Sequence, residues 1–389
     1  MMRGMEQNLR TPGPTPIPDA VREAQAQQMI GHRGTEFGEL LRETSAGLAE
    51  LIGTTSEVLL LTGSGSGALE AAIVNTLSPG DRVLSVNIGS FGDRFAKIAA
   101  TFGADVARFD LEWGSAADPA ALRERLASDE PYRAVLVTHN ETSTGVANPM
   151  QAIAEVVRSA PGEPLLLVDG ISGLGAMEFE MEAWGVDLVV SASQKAWMAS
   201  PGIAIAALGE RAVAAGATAR MPRFYWDFAE AREWAGKDQT PWTPAITVLY
   251  GLRIGVQKLR QEGRERTWRR HAAIANGVAA GLESLGLRLV AAPADRSNTV
   301  TAAWVPDGIE WGPFNAAMRA AGLVIAGGQG KWTGKILRFG HMGEVGIDEM
   351  AEALAIMGRT LPDFGHAADG DTAARAAREV YDAATATTR

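Results

Sequence analysis

From about residue 20 to 245, short unbroken apolar runs alternate with longer amphipathic stretches. The runs cover 58–61, 82–86, 134–138, 165–169 and 187–191, and the helix-like stretches 67–77, 92–102, 119–128 and 149–159. Runs that are apolar throughout, rather than at every second position, predict strands buried on both faces. Their alternation with helices predicts an α/β fold, a mostly parallel sheet with helices on both faces. A long helical pattern over 243–261 closes this region. Residues 262–362 then read as helix, strand (288–291, then 299–305), helix, strand (335–339) and helix, a smaller C-terminal α+β domain.

Four parts are therefore expected. Residues 1–20 form an extended arm, because Pro12, Pro14, Pro16 and Pro18 forbid a helix there. Residues 21–245 form the large domain and 246–362 the small one. The tail 363–389, rich in Ala, Thr and charge, reads as a helix or a disordered segment. No fixed period repeats along the chain.

Composition narrows the chemistry. The net charge of −10 argues against a phosphate-backbone binder, which needs a basic face, so no nucleic-acid partner is expected. The 389 residues include no cysteine, which removes disulfides, thiolate metal sites and cysteine nucleophiles. Five scattered histidines show no metal-ligand spacing, and no metal is expected. No apolar run reaches the roughly 18 residues of a membrane span. No charged-then-apolar leader pattern is present either, and a cytoplasmic location without membrane contact is expected.

Leu165-Leu166-Leu167-Val168-Asp169 places an acid directly after a buried strand, at the sheet edge where ligands bind in open α/β folds. Asp169 could equally cap the following turn. One crossover and one strand later, the run from Asp187 ends in Ser193-Gln194-Lys195. A surface lysine past a strand end is common, but Lys195 continues into Ala196-Trp197-Met198-Ala199, too apolar for an exposed turn. An acid and a lysine at one edge suit pyridoxal phosphate (PLP). The lysine forms a Schiff base and then moves the substrate's α-proton, while the carboxylate keeps the pyridine nitrogen protonated. Thr62-Gly63-Ser64-Gly65-Ser66-Gly67 follows a strand and opens a helix, a geometry that suits a phosphate. A dinucleotide loop would put Ala68 at its third glycine, and the next strand ends Ser85-Val86-Asn87 without the acidic partner.

Together these motifs resemble the class V aminotransferases of PLP fold type I, especially the alanine–glyoxylate/serine–pyruvate group. The resemblance spans residues 9–360 and is most specific at 62–70, 138–145 (Thr-His-Asn-Glu-Thr-Ser-Thr-Gly), 168–175, 191–202 and 333–340. It implies that Ser64, Gly65 and Ser66, assisted by Gln194, hold the phosphate. Phe91 would stack on the pyridine ring where many relatives carry Trp or Tyr, Thr142 would bond near the ring hydroxyl, and Ile171 would pack the opposite face. Asp169 and Lys195 take the roles above, Arg338 binds the substrate α-carboxylate as a fork, and Gly13 lines the substrate site. Thr243 matches a residue donated to the neighbouring subunit's phosphate, which implies a homodimer with shared sites. The preceding Gln239-Thr240-Pro241-Trp242 differs from the Tyr and paired His of many alanine–glyoxylate enzymes. In the members that share Gly31-His32-Arg33-Gly34 this segment lies near the substrate mouth, with Arg33 as a second anion contact or a solvated charge. The implied reaction moves an amino group from alanine, serine or aspartate to glyoxylate or pyruvate. A PLP-dependent lyase of the same fold is the alternative, since Lys195 and Asp169 would serve it too. A non-catalytic or regulatory protein of this fold is the alternative from another class, and an intact Lys195, Asp169 and Arg338 speak against it.

Overall fold

The computed structural model describes residues 7–386. Seven strands form the central sheet: β1 (Glu57–Gly63), β2 (Arg82–Asn87), β3 (Asp105–Asp110), β4 (Ala134–Thr138), β5 (Leu165–Asp169), β6 (Leu188–Ala192) and β7 (Gly202–Leu208). Their spatial order is β1-β7-β6-β5-β4-β2-β3, and every pairing is parallel except the two made by β7. Side chains of each strand alternate between two cores. Leu165 and Leu167 pack into one, Leu166 and Val168 into the other, which is why the runs are apolar throughout.

Five of these strands match the expected runs, and two carry no such run. At the edge, β3 (Asp-Val-Ala-Arg-Phe-Asp) is exposed or half-buried along its length, so charge interrupts its pattern. β7 is rich in alanine and pairs antiparallel to both neighbours.

The smaller unit is built on the antiparallel sheet of β8 (Val300–Trp304), β9 (Ala326–Gly327) and β10 (Ile336–Gly340), in the order β8-β10-β9. Helices Arg264–Ser284, Trp311–Ala320 and Ile347–Thr360 share its core. The strand expected at 288–291 reduces to a single bridge between Leu289 and Ala303, as the chain soon turns into the short 3-10 helix Pro293–Asp295. The tail forms the helix Gly370–Ala386, ordered because Ala373 and Ala377 bury against Gly277 and Gly281 of the helix Arg264–Ser284. The N-terminal arm pairs Asn8–Leu9 parallel with Leu323–Val324, bends over 11–14 and runs on without helix to Pro18. The helix Asp19–Gln25 follows, so the arm ends slightly before the expected boundary at 20, and residues 1–6 of it lie outside the described residues. Among the described residues no helix is long and apolar enough to cross a membrane.

Three imidazoles lie in these cores. Burial lowers His139 and His341 to about 4 and His271 to about 3. His271 Nδ1 lies 2.7 Å from the Thr267 carbonyl, and its Nε2 accepts from the Gly343 N–H, an arrangement that requires the neutral ring. In the unfolded chain these rings take up a proton near pH 6.5. Their contribution to stability is therefore complete above that pH and is lost as pH falls toward 4. Each should lower unfolding free energy by about 1.4 kcal/mol per pH unit in that window. Urea unfolding of the apo chain at pH 7, 6 and 5 should show this loss, with a shallower dependence in His271→Gln. A flat profile would count against it.

Candidate active site

The carboxyl ends of β4, β5 and β6 meet the N-terminal arm and β10 of the smaller unit. Asp169 ends β5 and is buried. Its Oδ1 accepts one hydrogen bond, from the Ile171 N–H at 3.0 Å, and no other donor reaches the carboxylate among the described residues. Burial raises its pKa to about 7, reinforced by the nearby Glu141 and opposed by the Ile171 N–H and Lys195. Lys195 follows β6 on a tight turn in which Met198 has φ of 63°, an uncommon conformation for a non-glycine residue. The turn is anchored by the fully buried Trp197, whose Nε1 donates to Ser191 Oγ at 2.8 Å. Thus the apolar flank of Lys195 is packed, as expected from its composition. The Lys195 ammonium donates to the Pro12 carbonyl at 2.7 Å, and burial lowers its pKa to about 8.

The arm reaches this amine at Gly13. A Cβ at that position would lie 2.3 Å from Lys195 Nζ, at a φ of 127° that L side chains rarely adopt. Thr15 holds the same turn, its N–H donating to the Gln194 carbonyl and its hydroxyl to the Lys195 carbonyl.

The helix Gly65–Thr76 begins at Ser64, whose side chain makes no capping hydrogen bond. The first N–H groups of that helix and the Ser64 hydroxyl are thereby left for an external anion. A Cβ on Gly65 would meet Ile171 Cδ1 at 2.7 Å, so this cradle packs directly against the residue after next from Asp169. Gln194 contributes a buried Oε1 without a hydrogen-bond partner among the described residues. Ser66 Oγ accepts from Arg94 Nη1 at 3.3 Å, and the Arg94 guanidinium lies 4.8 Å from the centroid of the Phe91 ring.

Arg338, on β10, is buried and donates through Nε to the Gly327 carbonyl at 2.8 Å and through Nη1 to the Thr142 carbonyl at 3.1 Å. Burial lowers its pKa to about 10, so it stays charged at neutral pH. Thr142 is also buried, and its hydroxyl donates to Ser172 Oγ at 3.0 Å. Two contributors carried no expected role: the Pro12 carbonyl on Lys195, and Glu141, which lies inside the 138–145 motif.

Thr243 stands apart. It is exposed and forms no side-chain hydrogen bond within the described chain. Arg33 is exposed at its place beside the turn before Thr243. It donates to the carbonyls of Thr240 and Pro241 and to Gln239 Oε1, and lies 4.3 Å from the Trp234 ring centroid, fixing the turn before Thr243. Phe224, Tyr225 and Trp242 cluster beside that turn, with Phe224 75% exposed.

Residues 13–337 match the family model described as aminotransferase class-V. A protein of Synechococcus sp. named soluble hydrogenase, small subunit, is 37% identical over 361 residues, covering 92% of this chain and 94% of the relative. The L-aspartate–glyoxylate aminotransferase of Paracoccus denitrificans is 35% identical, with 96% of each chain covered. Among solved structures, ureidoglycine–glyoxylate aminotransferase from Bacillus subtilis superposes with a TM-score of 0.91 at 28% identity, covering 97% of this chain and 98% of that one.

Proposed function

The chain belongs to the class V aminotransferases, and from that premise we propose that it carries PLP on Lys195 and moves an amino group from alanine, serine or aspartate to glyoxylate or pyruvate. The observation that carries this reading is the convergence of Lys195 and Asp169 at the carboxyl edge of the sheet, beside a helix N-terminus that lacks its cap. The residues fit the cofactor. Asp169 has room for a further donor, and the Ser64 hydroxyl and the first N–H groups of the helix Gly65–Thr76 are free to donate to a phosphate.

Bound PLP supplies an electron sink for the pair left at the substrate Cα. The protein's part is orientation and proton transfer. Ser64, Gly65, Ser66 and Gln194 hold the phosphate, and Phe91, Thr142 and Ile171 fix the ring. Arg338 presents a two-point donor fork to the α-carboxylate, aligning the Cα–H bond with Lys195. The Lys195 amine, lowered to about 8 by burial, is neutral in about a tenth of molecules at pH 7, far more than an ordinary lysine, and can take the proton from Cα and return it elsewhere. Asp169 is strained as an isolated buried carboxylate, and a cationic ring N–H against it offsets that cost.

The same reading makes Gly13 a wall of the substrate site and gives Thr243 to a partner subunit's phosphate in a homodimer. The exposure of Thr243 and of the neighbouring aromatic cluster supports that assembly. A division into the arm before Asp19, a large domain to 245, a small domain 246–362 and the tail from 363 is proposed with it. Mixing the holoenzyme with single amino acids tests the reaction: alanine, serine or aspartate should bleach the visible band of the lysine-bound cofactor, and glyoxylate or pyruvate should restore it. Loss of the amino acid by elimination, with no restoration by an oxo acid, would favour a lyase and overturn this reading.

A further inference from the structure

Glu141 is fully buried, makes no ion pair among the described residues, and has no part in the chemistry above. A buried carboxylate without an ion-pair partner is costly unless hydrogen bonds satisfy it. Here they do, and all of them lead to one place. Its Oε2 accepts from the N–H groups of Phe91 at 3.0 Å and Gly92 at 3.1 Å. Its Oε1 accepts from the Ser143 N–H at 3.0 Å and hydroxyl at 2.5 Å, and that hydroxyl accepts from the Ser90 N–H at 2.9 Å.

Three successive N–H groups, of Ser90, Phe91 and Gly92, thus end on one carboxylate, directly or through Ser143. They form the first turn of the twelve-residue helix Ser90–Thr101, where the helix dipole adds to the attraction. The approach is close enough that a Cβ on Gly89 would lie 2.4 Å from the Glu141 side chain. The next residue, Thr142, lends its carbonyl to Arg338. The backbone that carries the aromatic ring is therefore fastened to the segment that anchors the carboxylate fork.

We propose that Glu141 is a positioning residue whose buried carboxylate sets the Phe91 ring against the cofactor. The inference rests on the functional reading above, in which Phe91 faces PLP. A neutral side chain of the same shape would not replace it. In Glu141→Gln the amide nitrogen turns a donor toward N–H groups that need an acceptor, so half of the staple is lost.

The test is a double-mutant cycle on the holoenzyme, with PLP affinity and visible circular dichroism as readouts besides turnover. Glu141→Gln should weaken PLP binding about tenfold, the scale of losing a hydrogen bond to a charged group. It should also reduce the dichroism of the bound cofactor by about half and lower kcat more than it changes KM. In a Phe91→Ala background the same change should cost less than about twofold in PLP affinity, because the ring it positions is gone. Equal losses in the two backgrounds, or wild-type affinity and dichroism in Glu141→Gln, would overturn the inference. Should Glu141→Gln fail to fold, Ser143→Ala removes the relay hydroxyl: a loss of about threefold in the wild-type background that vanishes in Phe91→Ala supports the proposal, and equal losses overturn it. A wild-type chain that takes up no PLP overturns the functional reading and the inference with it. PLP uptake without coupling between positions 141 and 91 overturns the inference alone.

Discussion

Lys195→Ala is expected to lower kcat/KM for amino transfer by at least about 1000-fold, within the 10²- to 10⁴-fold range of a positioned general base. The visible band of the lysine-bound cofactor should disappear with it. PLP should still bind through the cradle at Ser64–Ser66, because that site does not depend on the amine. Lys195→Arg should not restore activity, since a guanidinium stays protonated where an amine lowered to about 8 does not. Removing the side chain should leave folding intact, because it deletes a partly buried cation whose hydrogen bond goes to one carbonyl of the arm. Steady-state kinetics and an absorption spectrum of the purified variant check all of this. Activity within tenfold of wild type would be incompatible with the assigned role.

Asp169→Asn should separate function from stability. The amide keeps the size of the carboxyl but loses the charge that holds a ring N–H, so turnover should fall about 100- to 1000-fold, the cost of removing one preorganised electrostatic contact. The apo protein should respond in the opposite sense. Burial raises the folded-state pKa of Asp169 to about 7, whereas the unfolded chain titrates near 4. Between those values the unfolded chain has already released the proton, so this residue increasingly penalises folding as pH rises toward 7. Above 7 the penalty is complete, a few kcal/mol in all, having grown by about 1.4 kcal/mol per pH unit across that window. Asp169→Asn apoenzyme should therefore melt above wild type at pH 8 and close to it at pH 4. A lower melting temperature for the variant at pH 8 would show that the carboxylate is paired within the apo chain.

Much of this site was legible because strands buried on both faces leave unbroken apolar runs, and the residues at their carboxyl ends then stand out. Asp169 after Leu165–Val168 and Lys195 before Ala196-Trp197 are visible in that way. β3 and β7 were not, since one is a polar edge strand and the other is alanine-rich and antiparallel. The order of the tail depends on alanines meeting Gly277 and Gly281, a tertiary fit without a local signature. The same holds for Pro12 on Lys195, a backbone contact between residues far apart in the chain. Arg33 illustrates a further limit. Its charge suggested an anion, yet it also hydrogen-bonds backbone carbonyls of the turn before Thr243, a contact no local pattern announces. Glu141 lay in a motif whose order was informative, but nothing in that order says its carboxylate faces the N–H groups of Phe91 and Gly92.

The central claim is that Lys195, among the lysines of this chain, carries the cofactor. Borohydride reduction of the PLP-loaded protein followed by peptide mass mapping tests it directly. One reduced phosphopyridoxyl group per chain on the peptide that contains Lys195 is the predicted result. A group on a different lysine, or none on an enzyme that has taken up PLP, would contradict it.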